Sequence, residues 1–148
     1  EVITSPGKTC LRKGEMLVSV SLPARPLRST DAYLRITPRK KMDVAIASVA
    51  VNLTIDENLC VMQCSVALGA VAPVAFAVSE ASEFMTGQRV DQAMMARLQR
   101  TVRQASRPID DIRATAEYRT QVTGLLAVRA FEMAFARVTE NTSRDQNS

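Results

Sequence analysis

Alternating apolar and polar residues predict strands in the first third of the chain. Residues 16–22, Met-Leu-Val-Ser-Val-Ser-Leu, are typical of a strand, and Pro23 ends it. Residues 24–30, with Pro23 beside them and Pro26 among them, predict a loop. Residues 32–37 alternate again, with Leu34 and Ile36 on one face and Tyr33 and Arg35 on the other. We therefore expect a second strand there, which Pro38 closes.

The clearest pattern is a β-hairpin formed by residues 43–55 and 59–68. Apolar residues recur at every second position in both stretches, and the polar tripeptide Asp56-Glu57-Asn58 separates them. The two strands should pair antiparallel, each with one apolar face that needs a cover. That face comprises Ala45, Ala47, Val49, Val51, Leu53 and Ile55 in the first strand and Cys60, Met62, Cys64, Val66 and Leu68 in the second.

The second half of the chain predicts three helices that supply this cover. The first spans residues 79–86, capped by Ser79 and ended by Gly87, and the second spans 91–105, capped by Asp91. A long third helix runs from about 114 to 138, and the polar residues 139–148 should form a flexible tail. Strands followed by helices indicate an α+β fold, an antiparallel three- to four-stranded sheet covered on one face by about three helices. The apolar residues expected in the second and third helices are Met94, Met95, Leu98 and Val102, then Tyr118, Val122, Leu125, Leu126, Phe131 and Met133.

Composition excludes several classes of catalyst. The chain has 148 residues, a length that suits one domain, and it contains no His. Ser-His-Asp and Cys-His nucleophile arrangements and the HExxH zinc site are therefore excluded. The three cysteines, Cys10, Cys60 and Cys64, form no CxxC pair, so we expect buried thiols in a reducing cytoplasm and no metal site.

The charge is unevenly distributed along the chain. Residues 1–43 have a net charge of +5, residues 44–86 of −4, and residues 87–148 of +3. Only six aromatic residues occur, and none lies within the basic cluster Arg39-Lys40-Lys41, so a nucleic-acid partner is not expected. No apolar run reaches the length of about 20 residues that a membrane span needs. Because the chain begins with Glu1 rather than Met, we expect it to be processed, cut or a fragment.

Two short motifs suggest chemistry but have simpler explanations. The tetrapeptide Pro6-Gly7-Lys8-Thr9 lacks the glycine that a phosphate-binding loop needs at position 2, and no strand is predicted before it. The pair Asp110-Asp111 precedes a predicted helix, where acidic residues usually interact with the helix dipole. Arg119, near the start of the same helix, is explained by pairing with a sheet or a neighbouring domain as well as by an active site. We therefore expect no catalytic residue in this chain.

Four motifs in order resemble a known family. They are SPGKTCLRKGEML at 5–17, YLRITPRKKMDVA at 33–45, ALGAVAP at 67–73 and PIDDIRATAEYR at 108–119, and the run Arg129-Ala130-Phe131 follows. Together they resemble the C-terminal domain of the FAD-binding medium subunit of molybdenum hydroxylases, the carbon monoxide dehydrogenase and xanthine dehydrogenase flavoprotein family. The resemblance extends from Ser5 to about Arg137.

The resemblance implies a function, partners and two cofactor contacts. Residues 1–30 would be the end of an FAD-binding domain and a connecting segment, and residues 31–138 the flavoprotein C-terminal domain. FAD would be bound mainly by a preceding N-terminal domain, and Leu17 and Arg35 would contact the flavin. A large subunit would hold the molybdenum cofactor and a small subunit the iron–sulfur clusters, so that electrons pass through FAD to an acceptor in a cytoplasmic oxidoreductase. The alternative is a stand-alone assembly or binding domain that kept the fold without flavin.

Overall fold

The computed structural model describes residues 2–39 and 44–145, which form six strands and three helices. The strands are β1 (Ile3–Ser5), β2 (Lys8–Thr9), β3 (Ser29–Ile36), β4 (Ala47–Ile55), β5 (Val61–Gly69) and β6 (Phe76–Ala77). The helices are α1 (Ser79–Met85), α2 (Gln92–Ala105) and α3 (Ala116–Asp145). Lys40 and Lys41 of the basic cluster, Met42, and Asp43 at the start of the predicted hairpin lie outside the described residues.

The centre of the fold is an antiparallel sheet with strand order β3-β4-β5-β6. Val51 in β4 lies opposite Ala32 in β3 and Val66 in β5, and all three side chains are buried. Helix α3 packs across β3 and β4, α1 packs on β5, and α2 packs on the other two helices. The predicted α+β architecture, with the helices on one face of the sheet, is therefore confirmed.

The predicted hairpin forms, with one error in its second strand. The alternate residues of β4 from Ala47 to Ile55 are buried as predicted, and so is Cys64 in β5. Met62, however, is 58% exposed, and the neighbouring Val61 is fully buried instead. The register of β4 and β5 shifts near the turn, so the neighbours Met62 and Gln63 are both exposed. Before this shift the side chains of β5 alternate in the opposite sense, which buries Val61 instead of Met62. For the same reason Cys60 is only half-buried.

The helix boundaries follow the capping residues only in part. The Asp91 Oδ1 atom accepts a hydrogen bond from the Met94 N–H at 2.7 Å, which confirms the predicted cap of α2. Gly87, with φ of +80°, follows α1 as predicted. Ser79 does not cap α1, because Val78 occupies the capping position and no side chain accepts a hydrogen bond there. The prediction for Ser79 was therefore wrong by one residue.

Helix α3 packs against the sheet through several small residues beside a few large ones. Ala127, Ala130 and Ala134 are fully buried beside Phe131, and such short side chains let the helix approach the strands closely. The helix also continues to Asp145, past the predicted end at Val138. The predicted apolar stripe was thus right for Val122, Leu126 and Phe131 and wrong for Tyr118, Leu125 and Met133, which are 47%, 48% and 36% exposed.

Residues 16–22 form no strand, contrary to the sequence prediction. Apolar alternation favours a strand, but a strand also needs a hydrogen-bonded neighbour, and the described residues provide none here. Nearer the N-terminus, β1 and β2 pair as a small hairpin whose turn contains Gly7 with φ of +69°. The tetrapeptide Pro6–Thr9 is thus the turn and second strand of a hairpin, and the expectation that no strand precedes it was wrong.

Candidate functional site

One face of the central sheet lacks a covering helix layer within the described residues. The helices bury one set of alternate side chains, so the other set points to the opposite side, which we call the open face. Tyr33 and Arg35, predicted to share the face away from the core, both lie on it and are exposed. Its residues are Ser29, Asp31, Tyr33 and Arg35 of β3, Ser48, Ala50, Asn52 and Thr54 of β4, Gln63, Ser65, Ala67 and Gly69 of β5, and Ala77 of β6.

Arg35 provides a positive charge at one end of the open face. It pairs across the strands with Ser48, which in turn pairs with Gly69. A Cβ atom on Gly69 would lie 2.6 Å from the Ser48 Oγ atom, so the glycine leaves the space that the Ser48 hydroxyl occupies. Within the described residues, the Arg35 side chain has no ion pair and no hydrogen bond. Its charge is therefore available to an outside partner.

The adjacent row on the open face is flat. Tyr33, which is 58% exposed, stands at the edge of the sheet and pairs with Ala50, and the row continues through Ala67 to Ala77. Three alanines in succession leave little side-chain volume above the strands. A planar group or the surface of another domain can therefore approach this part of the sheet closely, beside the Arg35 charge.

The second predicted contact residue, Leu17, lies in an N-terminal extended segment that we define as residues 16–27. Leu17 is 54% exposed. No backbone hydrogen bond from residues 16–27 is made within the described chain. Unpaired backbone together with exposed apolar side chains is typical of a segment that adds to another structural unit. Its exposed large apolar residues are Met16, Leu17, Val18, Val20, Leu22 and Leu27.

A buried arginine connects helix α3 to the sheet. The Arg119 guanidinium donates hydrogen bonds to the carbonyl oxygens of Ile46 at 2.8 Å and Ala70 at 3.2 Å. Its Nη2 atom lies 2.7 Å from the Asp111 Oδ2 atom. The guanidinium, and then the backbone N–H groups of Arg113 and Ala114, hold the pKa of the Asp111 carboxyl well below its usual range. Asp111 and Arg119 therefore have a structural role, as the sequence indicated.

The neighbouring Asp110 has a structural role as well. Its Oδ1 atom accepts a hydrogen bond from the Ala116 N–H at 2.6 Å, at the first residue of α3. Acidic side chains at this position satisfy free N–H groups and interact favourably with the helix dipole. The pair Asp110-Asp111 is therefore accounted for by the start of the helix and by Arg119.

The described residues contain little reactive chemistry. Burial raises the pKa of the Cys64 thiol to about 12, which keeps it protonated and unreactive at neutral pH. Cys10, expected to be buried, is exposed, because it follows the short N-terminal hairpin rather than the core. Within residues 2–39 and 44–145 no three Cys, Asp or Glu side chains come together in a way that could hold a metal ion. The open face can bind and orient a partner through charge and shape.

Across that same part of the chain, no helix combines the length and apolar character needed to cross a membrane. This includes α3, the 30-residue helix whose exposed side carries charged residues such as Glu132 and Arg137.

Architecture and surface together define an α+β domain with an open sheet face. Sequence comparison identifies its family: the profile of the CO dehydrogenase flavoprotein C-terminal domain matches residues 32–134. The chain belongs to this family. It is 33% identical over 129 residues to the carbon monoxide dehydrogenase medium chain of Afipia carboxidovorans, an alignment that covers 87% of the chain and 44% of that protein.

Solved structures of carbon monoxide dehydrogenases share the fold. The cyanide-inactivated form of a Cu,Mo-CO dehydrogenase superposes with a TM-score of 0.83 at 30% identity, over 90% of the chain and 46% of the matched chain. The enzyme from Hydrogenophaga pseudoflava that lacks the Mo-pyranopterin moiety of its molybdenum cofactor superposes with a TM-score of 0.85 at 25% identity, over 92% and 47%. The chain thus spans less than half the length of these relatives.

Proposed function

We propose that this chain completes the flavin site of an FAD-containing medium subunit in a molybdenum hydroxylase. The observation that carries the proposal is the unpaired charge of Arg35 beside the flat row of Tyr33, Ala50 and Ala67 on the open face. A planar, electron-rich ring with anionic character fits such a surface by both shape and charge. Membership of a flavoprotein domain family supports flavin as that ring.

When bound, FAD supplies the electron-accepting chemistry, and the residues of this chain set its surroundings. Arg35 stabilises negative charge on a neighbouring group, because an opposite charge nearby favours the ionised form. Leu17 contributes apolar surface that excludes water from the flavin. Most of the FAD, including its diphosphate, is bound by a preceding domain. In the assembled enzyme, electrons would pass from a molybdenum-containing large subunit through an iron–sulfur small subunit to FAD, and from there to an acceptor.

The N-terminal extended segment supports the joining of this chain to another domain. Its exposed apolar residues and free backbone groups would be satisfied if residues 16–22 paired as a strand with that domain. This arrangement also agrees with the alternating pattern of the sequence. We place the assembled enzyme in the cytoplasm. The likeness to the medium chain of a carbon monoxide dehydrogenase favours this arrangement over the alternative, a stand-alone assembly or binding domain that kept the fold without flavin.

The proposal is tested by measuring flavin retention with and without an FAD-binding domain of this family. The chain alone should purify colourless, and coexpression or fusion with that domain should give a subunit with about one FAD per polypeptide. Leu17→Asp should lower the FAD content of that subunit, whereas Asn52→Asp, which adds the same charge on the open face outside the predicted flavin contacts, should leave it unchanged. Stoichiometric flavin on the chain alone, or equal effects of the two substitutions, would contradict the proposal.

A further inference from the structure

Four exposed residues form a line along helix α3, which we call the α3 stripe: Leu125, Arg129, Glu132 and Ala136. Leu125 is one of the apolar residues that the sequence pattern assigns to the core and that the structure leaves exposed, and Met133 beside the stripe is another. Within the described residues, α3 packs on the sheet and on α2 through its buried side chains, which lie on its other sides. The stripe belongs to the helical layer, across the sheet from the open face, so it is distinct from the surface proposed for the flavin.

The spacing of the α3 stripe is that of a seam between two helices. Its four members are separated by four, three and four positions. At 3.6 residues per turn, this alternation keeps the side chains on one side of the helix, as in the seam of a coiled coil. Ala136 is small, so a second helix can approach α3 closely there. The helix is long enough for such a contact, because its 30 residues extend about 45 Å at roughly 1.5 Å per residue.

The two charges at the centre of the stripe have no ionic partner in the described part of the chain. Arg129 and Glu132 lie about one turn apart on α3, yet neither forms a salt bridge with the other or with any other described residue. Neither side chain is hydrogen-bonded to another described residue. Both charges are therefore available to a partner, and a matching partner must offer a negative and a positive group at the same spacing.

We propose that α3 pairs antiparallel with α3 of a second copy of this chain along the α3 stripe. From its N-terminal to its C-terminal end the stripe is apolar, positive, negative and apolar, so an antiparallel copy presents the complementary order. With a twofold axis midway between positions 130 and 131, Arg129 of one copy faces Glu132 of the other, and Leu125 faces Ala136. Each contact then occurs twice, as in any twofold-symmetric dimer. A second copy necessarily carries the charge pattern that this stripe requires.

Sedimentation equilibrium of the 148-residue chain at several protein concentrations tests this pairing. We expect a monomer–dimer equilibrium that weakens as the salt concentration rises, because salt screens ion pairs near the surface. Arg129→Glu and Glu132→Arg each replace two attractions by two repulsions, so each should weaken dimerisation by about tenfold. Both positions are exposed, and far-UV circular dichroism should therefore show native-like spectra for the two variants.

The double variant distinguishes this pairing from unspecific association. Combining Arg129→Glu with Glu132→Arg restores the complementary order with both signs reversed, so dimerisation should return to within about threefold of the wild type. Arg100→Glu reverses an exposed charge on α2, outside the stripe, and as the control should leave dimerisation unchanged.

Three results would overturn the proposal. A chain that stays monomeric at every concentration would show that the stripe does not bind a second copy. A dimer that neither single reversal weakens would be formed through another surface. A double variant that dimerises as weakly as the single variants would mean that Arg129 and Glu132 do not face each other across the dimer.

Discussion

Arg119 in the first turn of α3 lies 2.7 Å from Asp111 in the preceding loop and also donates hydrogen bonds to two carbonyl oxygens at the sheet. Arg119 therefore connects the loop before α3, and α3 itself, to the residues just before β4 and just after β5. These contacts hold the start of α3 against the sheet, on the side opposite the open face.

The Asp111 contact predicts a pH dependence of stability. Because the folded protein holds the pKa of Asp111 below its value in the unfolded chain, the stabilisation is present above about pH 4. It is lost as the pH falls through the lowered folded-state pKa. Asp111→Asn should melt below the wild type at pH 7, and the difference should shrink progressively below pH 4. Thermal melts from pH 7 to pH 2 measure this, and a difference that stays constant with pH would contradict it.

Val51→Asp should unfold the domain. Val51 is 1% exposed between β3 and β5, and an unpaired carboxylate there costs several kcal/mol, comparable with a total stability of about 5–15 kcal/mol. Asn52→Asp is the matched control, because the neighbouring side chain points to the open face. Circular dichroism should show loss of structure only for Val51→Asp. A Val51→Asp variant that melts within a few degrees of the control would show that the two faces are assigned the wrong way round.

Gly69 and Ser48 should behave as a coupled pair. In Gly69→Ala the new Cβ atom would lie 2.6 Å from the Ser48 Oγ atom, and relieving such overpacking typically costs about 1–3 kcal/mol. Removing the hydroxyl with Ser48→Ala should abolish most of that cost. Denaturant unfolding of both single variants and the double variant measures the coupling. Additive effects would mean that the close approach has no energetic consequence.

The cysteines should differ in reactivity. Cys10 is exposed, whereas Cys64 is buried and its pKa is raised to about 12. A thiol-specific reagent at pH 8 should therefore modify Cys10 within the native protein and Cys64 only after unfolding. Mass spectrometry of the modified peptides measures this order. Equal labelling of the two in the native state would show that the β5 core is open.

Much of the fold could be predicted from the sequence, because strands and helices impose different apolar periods. Alternation in β4 gave the buried face correctly, and alternation in β3 placed Arg35 on the open face. The exposure of Met62 could not be predicted, because a register irregularity changes the face without changing the apolar pattern. Residues 16–22 have the pattern of a strand, but no other strand of the described chain pairs with them, and pairing with another domain cannot be read from this sequence alone. The flavin contacts of Leu17 and Arg35 depend on the family resemblance and remain predictions.

The role of Arg35 gives the most direct test of the proposed function. In a flavin-containing subunit assembled with an FAD-binding domain, Arg35→Glu should weaken FAD retention, because it places a negative charge where the anionic reduced flavin needs a positive one. It should also lower the flavin midpoint potential, on the order of 30 mV for a charge change worth about 1.4 kcal/mol. Arg100→Glu reverses an exposed charge on α2, in the helical layer, and serves as the control.

The decisive measurement is the midpoint potential of the bound flavin in wild type, Arg35→Glu and Arg100→Glu, taken by spectroelectrochemical titration at one ionic strength. The proposed function predicts a lower potential for Arg35→Glu alone, with Arg100→Glu equal to the wild type. An unchanged potential and unchanged FAD affinity in Arg35→Glu would contradict it, and Arg35 would then be an ordinary solvated residue of the sheet edge.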